Sequence, residues 1–94
     1  MSVAAVTVRV PAQLRSLTGG AREVAVPAGT VADVIGSIEA AHPGIRERLL
    51  DDDGSLRRFV NVFVADEDVR FLDGLKTDVV AGQTVSIVPA VAGG

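Results

Sequence analysis

The segment Phe59-Val60-Asn61-Val62-Phe63-Val64-Ala65 constrains the fold more than any other part of the chain. Valine recurs at every second position. Its β-branched side chain is stiff about χ1 and packs well on a pleated surface. A period of two puts Val60, Val62 and Val64 on one face of a strand and Phe59, Asn61 and Phe63 on the other. Val6, Val8 and Val10 alternate with Thr7 and Arg9 in the same way. Glu23-Val24-Ala25-Val26 and Thr84-Val85-Ser86-Ile87-Val88 read as further strands. A chain so built must form a sheet and cover one face of it.

The cover is one helix. Thr30 precedes an apolar-periodic stretch and Asp33 follows three residues later, a capping box with aspartate in place of the usual glutamate. Val31, Val34, Ile35 and Ile38 form a single buried stripe. Gly36 weakens the helix and is expected to let it lie close against the sheet. Pro43-Gly44 ends it, and Ile45, Leu49 and Leu50 pack as a short extra turn. Thr18-Gly19-Gly20 closes a connection over residues 11–20 that joins the first two strands as a hairpin. After the third strand, Asp66-Glu67-Asp68 reads as a polar turn, Val69-Arg70-Phe71 as a short returning strand, and residues 72–81 as irregular. The order is strand, strand, helix, strand, short strand, strand. One main helix crossing a mixed sheet of about five strands is an α+β arrangement, the β-grasp or ubiquitin-like fold.

Composition narrows the function. The 94 residues make one small domain, 48% hydrophobic and 22% charged. The net charge is −3, and no basic stripe with interleaved aromatics appears, which argues against nucleic acid as a partner. No apolar run approaches membrane-spanning length, and no basic segment precedes a hydrophobic one near Met1, so neither a membrane nor a secretory route is indicated. The absence of cysteine removes disulfides, thiolate nucleophiles and cysteine-ligated metals together. The cytoplasm is the expected compartment. His42, the only histidine, stands where the helix ends and has no companion metal ligand. Asp51-Asp52-Asp53-Gly54 lacks the alternating spacing of a calcium loop and reads as solvated. No nucleophile, base or metal constellation is present, so the chain is not expected to be an enzyme.

The chemistry lies at the C-terminus instead. The last strand runs into Pro89-Ala90-Val91-Ala92-Gly93-Gly94. Glycine lacks Cβ and can lie in a narrow channel at φ/ψ values closed to other residues. Ala90 and Ala92 are nearly as slim, and Val91 supplies one apolar handle. Residues 1–89 therefore read as the domain and residues 90–94 as a flexible tail that offers the Gly94 carboxylate to an enzyme. Phe63 is expected to be exposed beside Val88, forming a docking patch. Arg57, Arg58 and Arg70 are candidates to pair with acidic residues of a partner.

The element order with its Gly-Gly end resembles the ThiS/MoaD sulfur-carrier family, and within it the actinobacterial CysO branch. Leu17-Thr18-Gly19-Gly20, Arg58-Phe59-Val60-Asn61, Asp66-Glu67-Asp68-Val69-Arg70-Phe71 and Pro89-Ala90-Val91-Ala92-Gly93-Gly94 carry the likeness. The resemblance implies that an ATP-dependent adenylating enzyme converts Gly94 to an acyl adenylate, and that a sulfur donor displaces AMP to leave a thiocarboxylate. It implies delivery to a sulfur-accepting synthase that is pyridoxal-phosphate dependent, with release of cysteine by a metalloprotease. No resident cofactor or metal is implied for the carrier itself. A protein modifier, joined to lysines through Gly94, is the alternative within the same chemistry.

Overall fold

The computed structural model describes residues 5–89. The strands and helices are β1 (Ala5–Arg9), β2 (Glu23–Pro27), β3 (Gly29–Thr30), α1 (Val31–Ala41), α2 (Ile45–Leu49), β4 (Val60–Val64), β5 (Glu67–Asp68), β6 (Asp78–Val79) and β7 (Thr84–Pro89). Five strands form the main sheet in the order β2-β1-β7-β4-β5, and β3 and β6 form a second, two-stranded one. β1 and β7 are parallel; β1–β2, β4–β7 and β4–β5 are antiparallel. This is the expected β-grasp.

The inward face of the main sheet carries Val6, Val8, Val26, Val60, Val62, Val64, Val85 and Ile87, all buried. Val31, Val34, Ile35 and Ile38 of α1 meet it, and Ile45 and Leu49 of α2 close one end. The register read from the valines is thus the one adopted. The capping box is also present: Asp33 N donates to Thr30 Oγ1 at 3.2 Å and Thr30 N donates to Asp33 Oδ2 at 3.1 Å. Gly29 makes room for it. A Cβ there would lie 3.0 Å from the Asp33 carboxylate. Glu39, near the end of α1, accepts from the backbone N–H groups of Gly44 and Arg46 at 3.2 and 2.9 Å, and so ties the start of α2 to α1.

Three local expectations change. Gly36 is exposed and a Cβ there would meet nothing within 4 Å, so it does not mediate close helix–sheet packing. The returning strand is Glu67–Asp68, not Val69-Arg70-Phe71; the latter is a 3₁₀ turn capped by Asp68, whose carboxylate accepts from Arg70 N at 2.8 Å. Its start is displaced because the turn is tighter than the acidic run suggests, with only Ala65 and Asp66 between the paired residues Val64 and Glu67. Residues 72–81 are not wholly irregular, since β6 pairs there with β3 at the start of α1. The connection over residues 11–20 likewise contains a 3₁₀ helix, Ala12–Thr18, which buries Leu14 and Thr18. Among the described residues no helix is long and apolar enough to cross a membrane.

The β4–β5 turn stores strain. Ala65 and Asp66 both have positive φ, 51° and 71°. Such two-residue hairpins favour Asn-Gly because a Cβ is disfavoured in the left-handed region. Ala65→Gly is expected to raise stability by about 0.5–1 kcal/mol, the relief of strain being partly offset by the greater freedom of glycine in the unfolded chain. Urea unfolding of the two proteins measures it.

Candidate functional site

The site is organised by where β7 ends. Its last residues pair with the start of β4: Val88 faces Asn61 and Pro89 faces Val60. On its other side β1 has already stopped, its last partner being Ser86. Proline lacks an N–H and suits a position where one side of the ladder is open. The last described residues therefore belong to an interior strand, with only β4 still paired beside them. Residues 90–94, including Ala90, Val91, Ala92, Gly93 and Gly94, lie outside the described residues.

The outward face next to this exit is apolar in part. Val88 is 45% exposed. Phe63, expected to be exposed directly beside it, is half-buried and stands opposite Ser86, with Val88 one diagonal step away. The reason is topological. β4 has β7 on one side and β5 on the other, so neighbours on both flanks cover the ring. Two phenylalanines that sequence reading did not single out are far more open: Phe59 is 61% exposed and Phe71 87%.

Arg70 has a structural occupation. Its guanidinium donates to Asn61 Oδ1 at 2.7 Å, to Val60 O at 2.7 Å and to Arg57 O at 2.8 Å. The planar fork spans acceptors that a single ammonium cannot. These bonds hold the start of β4, the same residues that receive Val88 and Pro89. They also draw the segments bearing Phe59 and Phe71 to one end of the sheet. Sequence periodicity could not reveal this clamp, because Arg70 and its acceptors are joined only by the hairpin between them. Arg57 is occupied as well. It pairs with Asp51 at 3.3 Å, with both side chains well exposed, and its Nε donates to Glu47 O at 2.8 Å. Arg58 is exposed.

The remaining polar candidates show no chemistry. His42 caps the C-terminal end of α1, where the sequence placed it. The Asp51–Asp53 loop is exposed; the Ser55 backbone N–H donates to Asp53 at 2.9 Å and holds that carboxyl below its usual range. Among the described residues no group of three potential ligands gathers for a metal ion.

Comparison with known proteins adds to this geometry. The family model described as "ThiS family" matches residues 8–94. The sulfur carrier protein CysO of Mycobacterium tuberculosis is 50% identical over 91 residues, spanning 95% of this chain and 98% of its own. A chain in the crystal structure of the Amycolatopsis orientalis BexX/CysO complex superposes with a TM-score of 0.90 at 48% identity, covering 95% of this chain and 99% of that one. The small archaeal modifier protein 3 of Haloferax volcanii is 43% identical over 65 residues, 69% of this chain and 70% of its own.

The clamp makes a direct prediction. Arg70→Ala should destabilise the domain by about 1–2 kcal/mol, the range for charge-assisted hydrogen bonds discounted for exposure. Arg70→Lys should recover less than half of that loss. Urea unfolding gives both values, and a lysine variant as stable as the parent would show that charge, not the fork, is what matters.

Proposed function

The chain belongs to the ThiS family, and we propose that it is a sulfur carrier whose reactive atom is the C-terminal carboxylate of Gly94. The single observation that carries this reading is the near-full-length likeness to CysO, over a sequence in which Ala90-Val91-Ala92-Gly93-Gly94 follows the last strand.

A carboxylate is a poor electrophile because resonance spreads its charge. Attack of a Gly94 oxygen on the α-phosphorus of ATP releases pyrophosphate and forms a mixed anhydride with AMP. A sulfur nucleophile then attacks the Gly94 carbonyl carbon and AMP departs. Sulfide gives the thiocarboxylate directly on loss of AMP and a proton; a persulfide gives an acyl disulfide, which a thiol reductant cleaves to the thiocarboxylate and a mixed disulfide of the donor. The product is an anionic nucleophile held on a protein. The carrier contributes no catalytic side chain. Its fold contributes position, by presenting the terminus from a strand secured on β4.

The partners proposed are an ATP-dependent adenylating enzyme and a sulfur-accepting synthase. The likeness to CysO supports a pyridoxal-phosphate synthase making cysteine, with a metalloprotease to release it; synthesis of another sulfur-containing metabolite is the neighbouring case. Reaction in the cytoplasm accords with a chain that uses no cysteine. The Haloferax modifier supports a second reading, in which activated Gly94 is joined to target lysines. Both begin from the same adenylate and part only at the nucleophile.

Incubation with ATP, an adenylating enzyme and a sulfur donor should replace one oxygen by one sulfur in the intact-protein mass. Deletion of Gly94, or addition of one alanine after it, should abolish that shift and leave thermal unfolding unchanged. Lysine-linked conjugates in place of the shift would favour the modifier. In the same assay Phe63→Ala should load roughly thirtyfold less efficiently, the effect of an interface residue worth about 2 kcal/mol. Unimpaired loading of that variant would remove Phe63 from the docking surface.

A further inference from the structure

The end of the sheet from which the tail departs also carries a basic cleft. β1 and β7 are parallel, so their C-terminal ends lie side by side, with Arg9 in register with Ser86. Arg9, Arg15 and Arg22 line one cleft with Val10 and Glu23. Arg9 and Arg15 also line an adjoining cleft whose far wall is Ser86, Ile87 and Val88. The three arginines come from three different segments: β1, the 3₁₀ helix that follows it, and the residues just before β2. Arg15 is held in place, its Nε donating to Val10 O at 3.1 Å. Arg9 and Arg22 are exposed, and the ion pair found among the described residues, Arg57 with Asp51, includes neither.

The charge is out of keeping with the rest of the molecule. The chain as a whole is acidic, with a net charge of −3, yet Glu23 is the sole acid in this cleft wall. Asp66, beyond the far end of β4 from Val88, lines a further cleft with Arg9 and Glu23. Like charges gathered in one cleft repel one another; Glu23, directly opposite Arg9 on β2, offsets one of the three guanidinium groups and leaves an excess of positive charge. A complementary surface would give the arrangement a use.

We infer that the Arg9–Arg15–Arg22 cleft is a docking surface for an acidic rim on the enzyme that receives the tail. The inference rests on the carrier reading. Residues 90–94 extended span at most about 17 Å. An enzyme that holds Gly94 in its active site must bring its surface within that distance of Pro89. The residues around the exit are then covered by the partner. Guanidinium groups covered by a neutral surface lose hydration without return, whereas carboxylates return it through bidentate, charge-assisted hydrogen bonds. Carboxylates also steer the encounter before contact. This surface lies on the β1 side of the exit, separate from Phe63 on the β4 side, so the two would orient the domain about the tail from opposite flanks.

The test measures association of the full chain with its adenylating enzyme by surface plasmon resonance over a range of salt concentrations, with mass-spectrometric loading in parallel. The variants are Arg9→Gln with Arg22→Gln, and, as a control with the same change in net charge, Arg48→Gln with Lys76→Gln. All four residues are exposed. Arg15 is left intact because it supports the backbone. The cleft variant should associate about tenfold more slowly at low salt, with a flatter salt dependence, and the difference should vanish near 1 M salt, where screening reaches about 3 Å. The control should remain within about twofold of the parent. Equal rates for the parent and the cleft variant, or equal losses in both variants, would overturn the docking surface while leaving the carrier reading in place. A parent chain that neither binds nor loads would overturn both.

Discussion

The parallel pairing of β1 with β7 is the interaction on which the rest of the molecule depends. Thr7, Val8 and Arg9 run beside Thr84, Val85 and Ser86, so a strand from near the start of the chain and one from near its end form the middle of the sheet. Val8 and Val85 are buried side by side beneath α1. Fully burying such a side chain is worth roughly 1.5–3 kcal/mol, and the pairing commits several at once. Parallel neighbours cannot be joined by a tight turn. Everything between them, including the helix and β4, must therefore be accommodated as the crossover and its additions.

That pairing also decides how the C-terminus is presented. A terminal strand at a sheet edge has one hydrogen-bonded neighbour throughout. β7 has two until Ser86 and then keeps β4 through Pro89. The point at which the chain departs is therefore secured by the core, and secured again from outside by the Arg70 fork on Arg57, Val60 and Asn61. On the carrier reading, position is what the fold contributes. A small valine-rich core under one helix is sufficient for it.

Charge is distributed on the same plan. Acidic residues gather in the turn after β4 and in the Asp51–Asp53 loop, while arginines from remote parts of the sequence meet near the end of β7. On the β4 side Arg57 and Arg70 are engaged with backbone or carboxylate groups, while Arg58 is exposed. Those on the β1 side stand more open, at Arg9 and Arg22. One side of the exit is thus braced and the other is available for contact.

The valine alternation at Val60, Val62 and Val64 indicated its own register, because a slip of one residue would have exchanged a uniformly apolar face for one that carries Asn61 between Phe59 and Phe63. The Thr30–Asp33 box, the stripe over Val31, Val34, Ile35 and Ile38, and the break at Pro43-Gly44 were equally legible, since each rests on residues a few positions apart. Gly93-Gly94 raised the carrier reading only together with the β-grasp order of elements before it. Short elements were not legible in this way. Whether Glu67-Asp68 or Val69-Arg70-Phe71 formed the returning strand turned on a two-residue loop at Ala65-Asp66, whose positive φ values no residue type there announces. β6 exists because β3 lies opposite it, and neither segment has a pattern of its own. Partial burial of Phe63 followed from strands on both of its flanks. The Arg70 clamp and the Arg9–Arg15–Arg22 cleft are further examples, for their members lie on separate segments and have no shared period. Local patterns settle which face is buried and where a helix starts. Which distant charges come together is decided only when the parallel pair closes the sheet.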